Sequence, residues 1–313
     1  MSTGNFLFYL LMVLGPTVAV SSSSWLISWV GIELAFLGLI PLLVSDGKSL
    51  PSLSSESALK YFCIQAAGSG ILMCGGVMKF MVPFLMSNFS SNIIFLAGLG
   101  LKLGIFPFHF WVPSVVAGLG WYPMFLILTW QKIAPFMFMM NLVESVPSLS
   151  GLVFILGGLS AIVGALIGLN QTKLAPMLGA SSITHSGWVA VGAVCGGFWI
   201  YFLIYFGSLM LLIIALGKQR VFMAGLLTLS LSGLPPFVMF IGKWSILKHA
   251  LSLSEHWWFI SLPLFGSIMS LFFYLKFFYS FYLESEESFL SKGSLTVCFS
   301  MANLAGALLI IMF

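Results

Sequence analysis

The chain has 313 residues, 60% of them hydrophobic and only 6% charged, with a mean hydropathy of +1.12. A soluble domain carries roughly 25% charged residues, so this composition excludes a water-facing globular surface and a disordered tail alike. Twelve Lys and Arg against eight Asp and Glu leave a formal charge of +4, but the cations stand singly and several lie inside apolar runs, which excludes a basic patch for nucleic acid.

A helix crossing the ~30 Å hydrocarbon layer needs about 20 apolar residues. Runs bounded by Ser, Gly, Pro and charge divide the chain into eleven predicted spans, at 5–20, 24–45, 58–80, 92–118, 122–143, 148–170, 174–194, 197–216, 222–250, 257–282 and 294–313. The fold class is an all-α polytopic membrane protein, with 1–313 as a single membrane domain. The opening MSTGNFLFYLLMVLGPTVAV has no basic n-region and no Arg-rich amphipathic stretch, so it reads as a first span.

Glu33 falls deep in the second span, behind Trp29 and Gly31, while Lys60 and Lys79 mark the ends of the third. The fourth carries Lys102 and His109 and is interrupted by Gly104 and Pro107; Lys132 follows in the fifth and His185 in the seventh. The ninth is interrupted by Gly233, Pro235 and Pro236 ahead of Lys243, and the tenth carries Lys276. Proline removes a backbone donor and clashes with the preceding turn. Such breaks survive at membrane depth only where protein or a water-filled cavity satisfies the freed groups. The fourth and ninth spans are therefore predicted to be discontinuous helices.

In the loops, Lys48, Lys60, Lys173, Lys218, Arg220 and Lys292 share the face of the N-terminus, against Lys79 and Lys248 on the other. The excess places the N-terminus on the cytoplasmic or matrix-like side. The cysteines, Cys63, Cys74, Cys195 and Cys298, show no CxxC or zinc spacing and read as small core residues.

A Lys at a span centre costs about 2.5–3.5 kcal/mol on insertion scales, so the deep charges are expected to face inward and meet one another. Burial and an opposite neighbouring charge act on a Lys–Glu pair in opposite directions, so a small change of separation switches it, and a chain of such groups passes protons. Glu33, Lys102, Lys132 and Lys243 are the candidates for this path, with Lys60, Lys276, His109 and His185 as further relays. Lys102 and Lys243 are 141 residues apart and Lys132 and Lys276 are 144 apart. That spacing suggests two five-helix repeats, about 5–143 and 148–282, before a final helix at 294–313. No GxGxxG follows a strand, no phosphate loop is present, and His249 and His256 read as loop residues, so no nicotinamide, nucleotide or paired-histidine haem site is expected in this chain.

The segment LKLGIFPFHFWVPSVVAGLGW, with LTWQKIAP close behind, resembles the NADH dehydrogenase subunit 2 family, the smallest antiporter-like subunits of mitochondrial respiratory complex I. WVGIEL around Glu33, KYFCIQA from Lys60, GLNQT with SSITHSGW, and LSLSGLPPFVMFIGKW extend the resemblance in the family's order over about residues 25–250.

The resemblance implies the animal form with eleven helices, made inside the mitochondrion and set in its inner membrane, N-terminus to the matrix and C-terminus to the intermembrane space. It implies the other membrane-arm subunits as partners, in a lipid bilayer with cardiolipin as a further contact, and no nucleic acid. NADH, FMN, iron–sulfur clusters and ubiquinone are then bound by other subunits. Carried over through the motifs, the family's glutamate and three lysines fall on Glu33, Lys102, Lys132 and Lys243. The implied route runs from quinone chemistry elsewhere to the Glu33–Lys102 pair, then through Lys132 to Lys243 and out. A stand-alone cation/proton antiporter and a purely structural subunit are the alternative readings. The sequence departs from the family at Ala35, where Asn is usual, at Phe106, at Ala175 and Pro176, where a basic pair is usual, and at Ala180, where Tyr is common.

Overall fold

A computed structural model describes residues 3–45, 51–80, 88–252 and 257–285. In hydrocarbon every backbone polar group must be satisfied within its own segment or by buried protein, and runs that are apolar on all faces therefore form helices. Among the described residues these are α1 (Thr3–Ser21), α2 (Trp25–Ser45), α3 (Pro51–Phe80), α4 (Asn88–Leu103), α5 (Trp111–Val116), α6 (Trp121–Leu128), α7 (Ile133–Ser145), α8 (Ser150–Leu169), α9 (Leu174–Cys195), α10 (Phe198–Gly217), α11 (Val221–Ser232), α12 (Val238–Ser252) and α13 (Ser261–Ser285). No strand occurs among them. Six stretches, Trp25–Val44, Ser52–Phe80, Trp121–Ser145, Pro147–Leu169, Phe198–Gly217 and Trp258–Glu284, are long and apolar enough to cross a membrane.

The chain packs as two compact units that divide between Ser148 and Leu149. In the first, α1 lies along α2 and α3 along α4, with α2 against α3. In the second, α8 packs on α9 and α13, α11 on α13, and α10 on both α11 and α12. Residues Pro176 to Gly192 of α9 are buried without interruption, so this Ser- and Thr-rich helix is the core of its unit.

Glycine makes the close crossings, as expected where lipid supplies no hydrophobic drive between helices. A Cβ on Gly31 of α2 would stand 2.6 Å from the backbone nitrogen of Ala19, and one on Gly98 of α4 would stand 2.6 Å from that of Leu72. Gly98→Val is expected to destabilise the first unit by about 1–3 kcal/mol through overpacking. A lower thermal midpoint in detergent is the readout, and an unchanged midpoint would argue against so close a crossing.

Several expectations need correction. The third span begins at Pro51 rather than 58, because Pro is suited to the first helical position and the Ser-rich run after it continues as helix. At 30 residues, α3 is about 45 Å long at the usual rise per residue, more than the hydrocarbon requires. The fifth span keeps its place, at Trp121–Ser145, but is interrupted inside: α6 ends at Leu128 and a 3-10 turn, Trp130–Lys132, precedes α7. Cys63 and Cys74 are exposed on α3 and Cys195 is half-buried, since small apolar thiols are tolerated on an outward helix face as well as in a core. His249 lies in the last turn of α12, not in a loop, its Nδ1 bonded to the Ser245 carbonyl at 2.7 Å. The span at 294–313, Lys48, Lys292, Cys298 and His256 lie outside the described residues.

Candidate functional site

The fourth span breaks where the sequence predicts it. α4 stops at Leu103, and Gly104 takes φ +70°, a left-handed conformation that glycine adopts without a Cβ penalty. The carbonyls orphaned at a helix end need other donors. Here two side chains supply them: Trp111 Nε1 donates to the Leu101 carbonyl at 3.1 Å, and Gln65 Nε2 donates to that of Lys102 at 3.3 Å.

Lys102, on the last turn of α4, has a side chain only 1% exposed, and its Nζ donates to Glu33 Oε1 at 2.7 Å. The Glu33 side chain is 20% exposed. One turn further along α2, the Phe36 ring lies 5.9 Å from the ammonium, within cation–π range. A hydrogen bond with both partners charged is about twice as strong as a neutral one, so the pair has a well-defined resting geometry.

Lys132 is buried at the end of the 3-10 turn. The helix changes there for local reasons. Thr129 turns its hydroxyl back onto the Phe125 carbonyl at 2.7 Å, and Pro135 sits in the first turn of α7, where its missing N–H costs least. The two residues before Lys132 anchor the turn in the first unit. Trp130 Nε1 donates to the Met12 carbonyl and Gln131 Nε2 to that of Ala35, each at 2.9 Å. Ala35 is two residues beyond Glu33, so the Lys132 turn is tied to the helix that carries the carboxylate. Ala35 also faces Gly15 at the α1–α2 crossing, which gives its small size a packing reason.

In the second unit, Gly233 takes φ +74° at the end of α11. The turn after it closes with Phe237 N–H donating to the Leu234 carbonyl at 2.9 Å, and Phe108 N–H donates to the Ile105 carbonyl at 2.8 Å in the first unit. Lys243, on α12 and 7% exposed, donates from Nζ to the Ser232 carbonyl at 2.6 Å, and the Trp188 ring lies 5.9 Å away. The ammonium thus caps the carbonyl end of α11, where the helix dipole favours a cation.

His185, 2% exposed on α9, joins two tyrosines: Nδ1 is 2.8 Å from Tyr201 Oη and Nε2 is 3.1 Å from Tyr274 Oη. A neutral imidazole donates from one nitrogen and accepts at the other, so the tautomer decides which tyrosine donates. The Tyr205 ring packs 4.6 Å from the imidazole centroid.

The structure thus brings Glu33 and Lys102 into contact, with Lys132 buried in the same unit and Lys243 and His185 buried in the other. It does not bring in the remaining candidates. Lys60 is exposed and pairs with Glu56 one turn back at 2.6 Å, and Lys276, also exposed, donates to the Gln171 carbonyl at 3.1 Å. His109 is half-buried at the first break, stacked on Phe106 with centroids 5.9 Å apart. Sequence reasoning passed over Gln65, Trp111, Trp130, Gln131, Tyr201 and Tyr274. For Trp111, Trp130 and Gln131 the available signal was position, a polar or indole side chain within a few residues of a break or of a buried charge; nothing in the sequence marked Gln65. Among the described residues, no three His, Cys, Asp or Glu side chains converge on a metal-sized site.

The model of the family described as NADH:quinone oxidoreductase/Mrp antiporter matches residues 22–224. NADH-ubiquinone oxidoreductase chain 2 of Albinaria caerulea is 32% identical over 96% of this chain and 96% of its own length. The same-named protein of Branchiostoma lanceolatum is 35% identical over 86% of this chain and 83% of its own. A chain of respiratory complex I from Thermus thermophilus, solved with bound aureothin, superposes with a TM-score of 0.76 at 25% identity, covering 99% of this chain and 78% of that one. With a family model over most of its length and full-length relatives above 30% identity, the chain belongs to the NADH-ubiquinone oxidoreductase chain 2 family, within the NADH:quinone oxidoreductase/Mrp antiporter group of membrane proteins.

Proposed function

We propose that the chain is a proton-translocating subunit in the membrane arm of an NADH:ubiquinone oxidoreductase, with Glu33, Lys102, Lys132 and Lys243 as its proton-handling residues. The observation that carries this reading is the ion pair of Lys102 and Glu33 at 2.7 Å, buried at a helix break in a chain of this family. Energy from quinone reduction in other subunits lengthens or shortens that contact, which alters how firmly Lys102 holds its proton. Lys132, tied through Gln131 to the helix of Glu33, exchanges the proton within the first unit. Lys243, capping α11, does the corresponding work in the second, with His185 as a further relay. NADH, FMN, iron–sulfur clusters and ubiquinone belong to partner subunits, and this chain carries no redox group.

The proposed setting is the mitochondrial inner membrane, with cardiolipin among the surrounding lipids and the N-terminus on the matrix side. Eleven spans, with repeats at about 5–143 and 148–282 and a last helix at 294–313, complete the architecture. The matching family also takes in antiporters, and a stand-alone cation/proton antiporter would use the same buried charges.

The deciding measurement is the ratio of protons translocated to NADH oxidised by vesicles holding the assembled complex. Lys102→Met is expected to lower that ratio, and an unchanged ratio would overturn the assignment. The purified chain alone in liposomes is expected to exchange no ions. Exchange there would favour the antiporter.

A further inference from the structure

α3 turns Tyr61, Gln65, Gly68, Leu72 and Gly75 inward along one buried face at alternating steps of three and four residues. Two of these residues touch Lys102. Gln65 Nε2 donates to its backbone carbonyl at 3.3 Å. One turn on, the missing Cβ of Gly68 leaves the space beside the lysine stem: a Cβ there would stand 3.0 Å from Lys102 Cγ.

The other glycines of this crossing have a different task. A Cβ on Gly75 would meet the Phe95 backbone nitrogen at 2.5 Å, and one on Gly98 would meet that of Leu72 at 2.6 Å, so these two set how closely the helices approach. At Gly68 the nearest atoms are side-chain atoms, Lys102 Cγ and Leu101 Cδ2 at 3.1 Å, while the nearest backbone atom, the Gly98 oxygen, is 3.6 Å away. The backbones do not need a glycine at 68 in order to pack. The lysine does, because its four-carbon stem has many rotamers and only an opening at this point lets Cγ lie flat against α3.

We infer that Gln65 and Gly68 form a seat on α3 that positions Lys102 for its ion pair with Glu33, which makes them positioning residues for proton translocation. The seat holds the lysine at two places, the backbone carbonyl and the first part of the stem, so that α3 fixes how far the ammonium reaches. A movement of α3 relative to α2 is then transmitted directly to the length of the pair. The inference rests on the function proposed above.

The test uses the assembled complex in vesicles, with four variants of this subunit. Gly68→Ala narrows the slot, and Gln65→Met keeps the volume but removes the donor. Gly70→Ala, at a position with no atom within 4 Å of a new Cβ, controls for the general effect of adding a methyl group to α3. Lys102→Met reports on the underlying function. Gly68→Ala and Gln65→Met are expected to assemble, to keep electron transfer from NADH to a soluble acceptor, and to lose coupled turnover on the order of tenfold, as misplacement by a fraction of an ångström does. The pH profile of coupled turnover is expected to be displaced in both and unchanged in Gly70→Ala. Wild-type turnover and pH profile in Gly68→Ala and Gln65→Met, with the proton-to-NADH ratio still lowered in Lys102→Met, would overturn the seat alone. So would a loss of assembled complex with unchanged turnover per complex, which marks a packing role only. Translocation left intact by Lys102→Met would overturn the function itself, and the seat with it.

Discussion

Glu33→Gln is expected to harm the assembled protein more than Lys102→Met, although both lower the proton-to-NADH ratio. The reason lies in which charge is left behind. Breaking a buried ion pair by removing one partner costs about 3–5 kcal/mol, because the other charge stays in a low-dielectric interior without compensation. Glu33→Gln strands the Lys102 ammonium, whose side chain is 1% exposed, whereas Lys102→Met strands a carboxylate that is 20% exposed and open to hydration. The Phe36 ring, 5.9 Å from the ammonium, offsets only part of that cost, since cation–π contacts contribute about 0.5–2 kcal/mol. The amount of assembled complex on a native gel is therefore expected to fall furthest in Glu33→Gln and less in Lys102→Met. The double variant is expected to recover most of it, with the proton-to-NADH ratio still low. Equal assembly in the two single variants would mean that the two charges are hydrated alike.

Gly233→Ala is the second substitution with a large expected effect. A non-glycine residue forced into the left-handed region costs roughly 1–2 kcal/mol, and Gly233 has φ +74°. The new Cβ would also stand 2.8 Å from both Cε and Nζ of Lys243, so the ammonium must shift from its present place on the Ser232 carbonyl. Gly104→Ala is the natural comparison. Its φ is +70°, but its Cβ would meet Val112 Cγ2 at 2.5 Å rather than a lysine. Both variants are expected to lower the thermal midpoint of the complex. Turnover per assembled complex is expected to fall beyond the loss of stability in Gly233→Ala alone. The same coupling defect in both would show that the break, and not the lysine contact, is what matters at 233.

Much of this was legible in the residues because membrane insertion is a severe filter. A charge inside an apolar run has few places to go, and Glu33 and Lys102 could be picked out by cost before any geometry was known. The breaks at Gly104 and Gly233 were legible for a similar reason, as proline and glycine leave backbone groups that lipid cannot satisfy. What could not be read was anything that depends on which way a helix faces. In helices apolar all round there is no polar stripe to give the facing, so nothing marked Gly68 as different from Gly70, or Cys63 as outward. The interruption at Thr129–Lys132 was missed because its signal, a threonine and a proline six residues apart, is weak beside a Gly–Pro cluster. The partners of Gln65 and Gln131 lie 37 and 96 residues away in the chain and follow only from the packing.

The two breaks carry similar short sequences, GIFPF at Gly104 and GLPPF at Gly233, set 129 residues apart and each opening on a left-handed glycine. Laid over one another on those glycines, the lysines do not coincide: Lys102 precedes its break by two residues and Lys243 follows its own by ten. The left-handed glycine is thus what the two turns have in common, and the lysine stands on a different side of it in each unit. Substitution scans of such proteins therefore need to be registered on the turn, because registering them on the lysines compares a helix end in one half with the middle of a helix in the other.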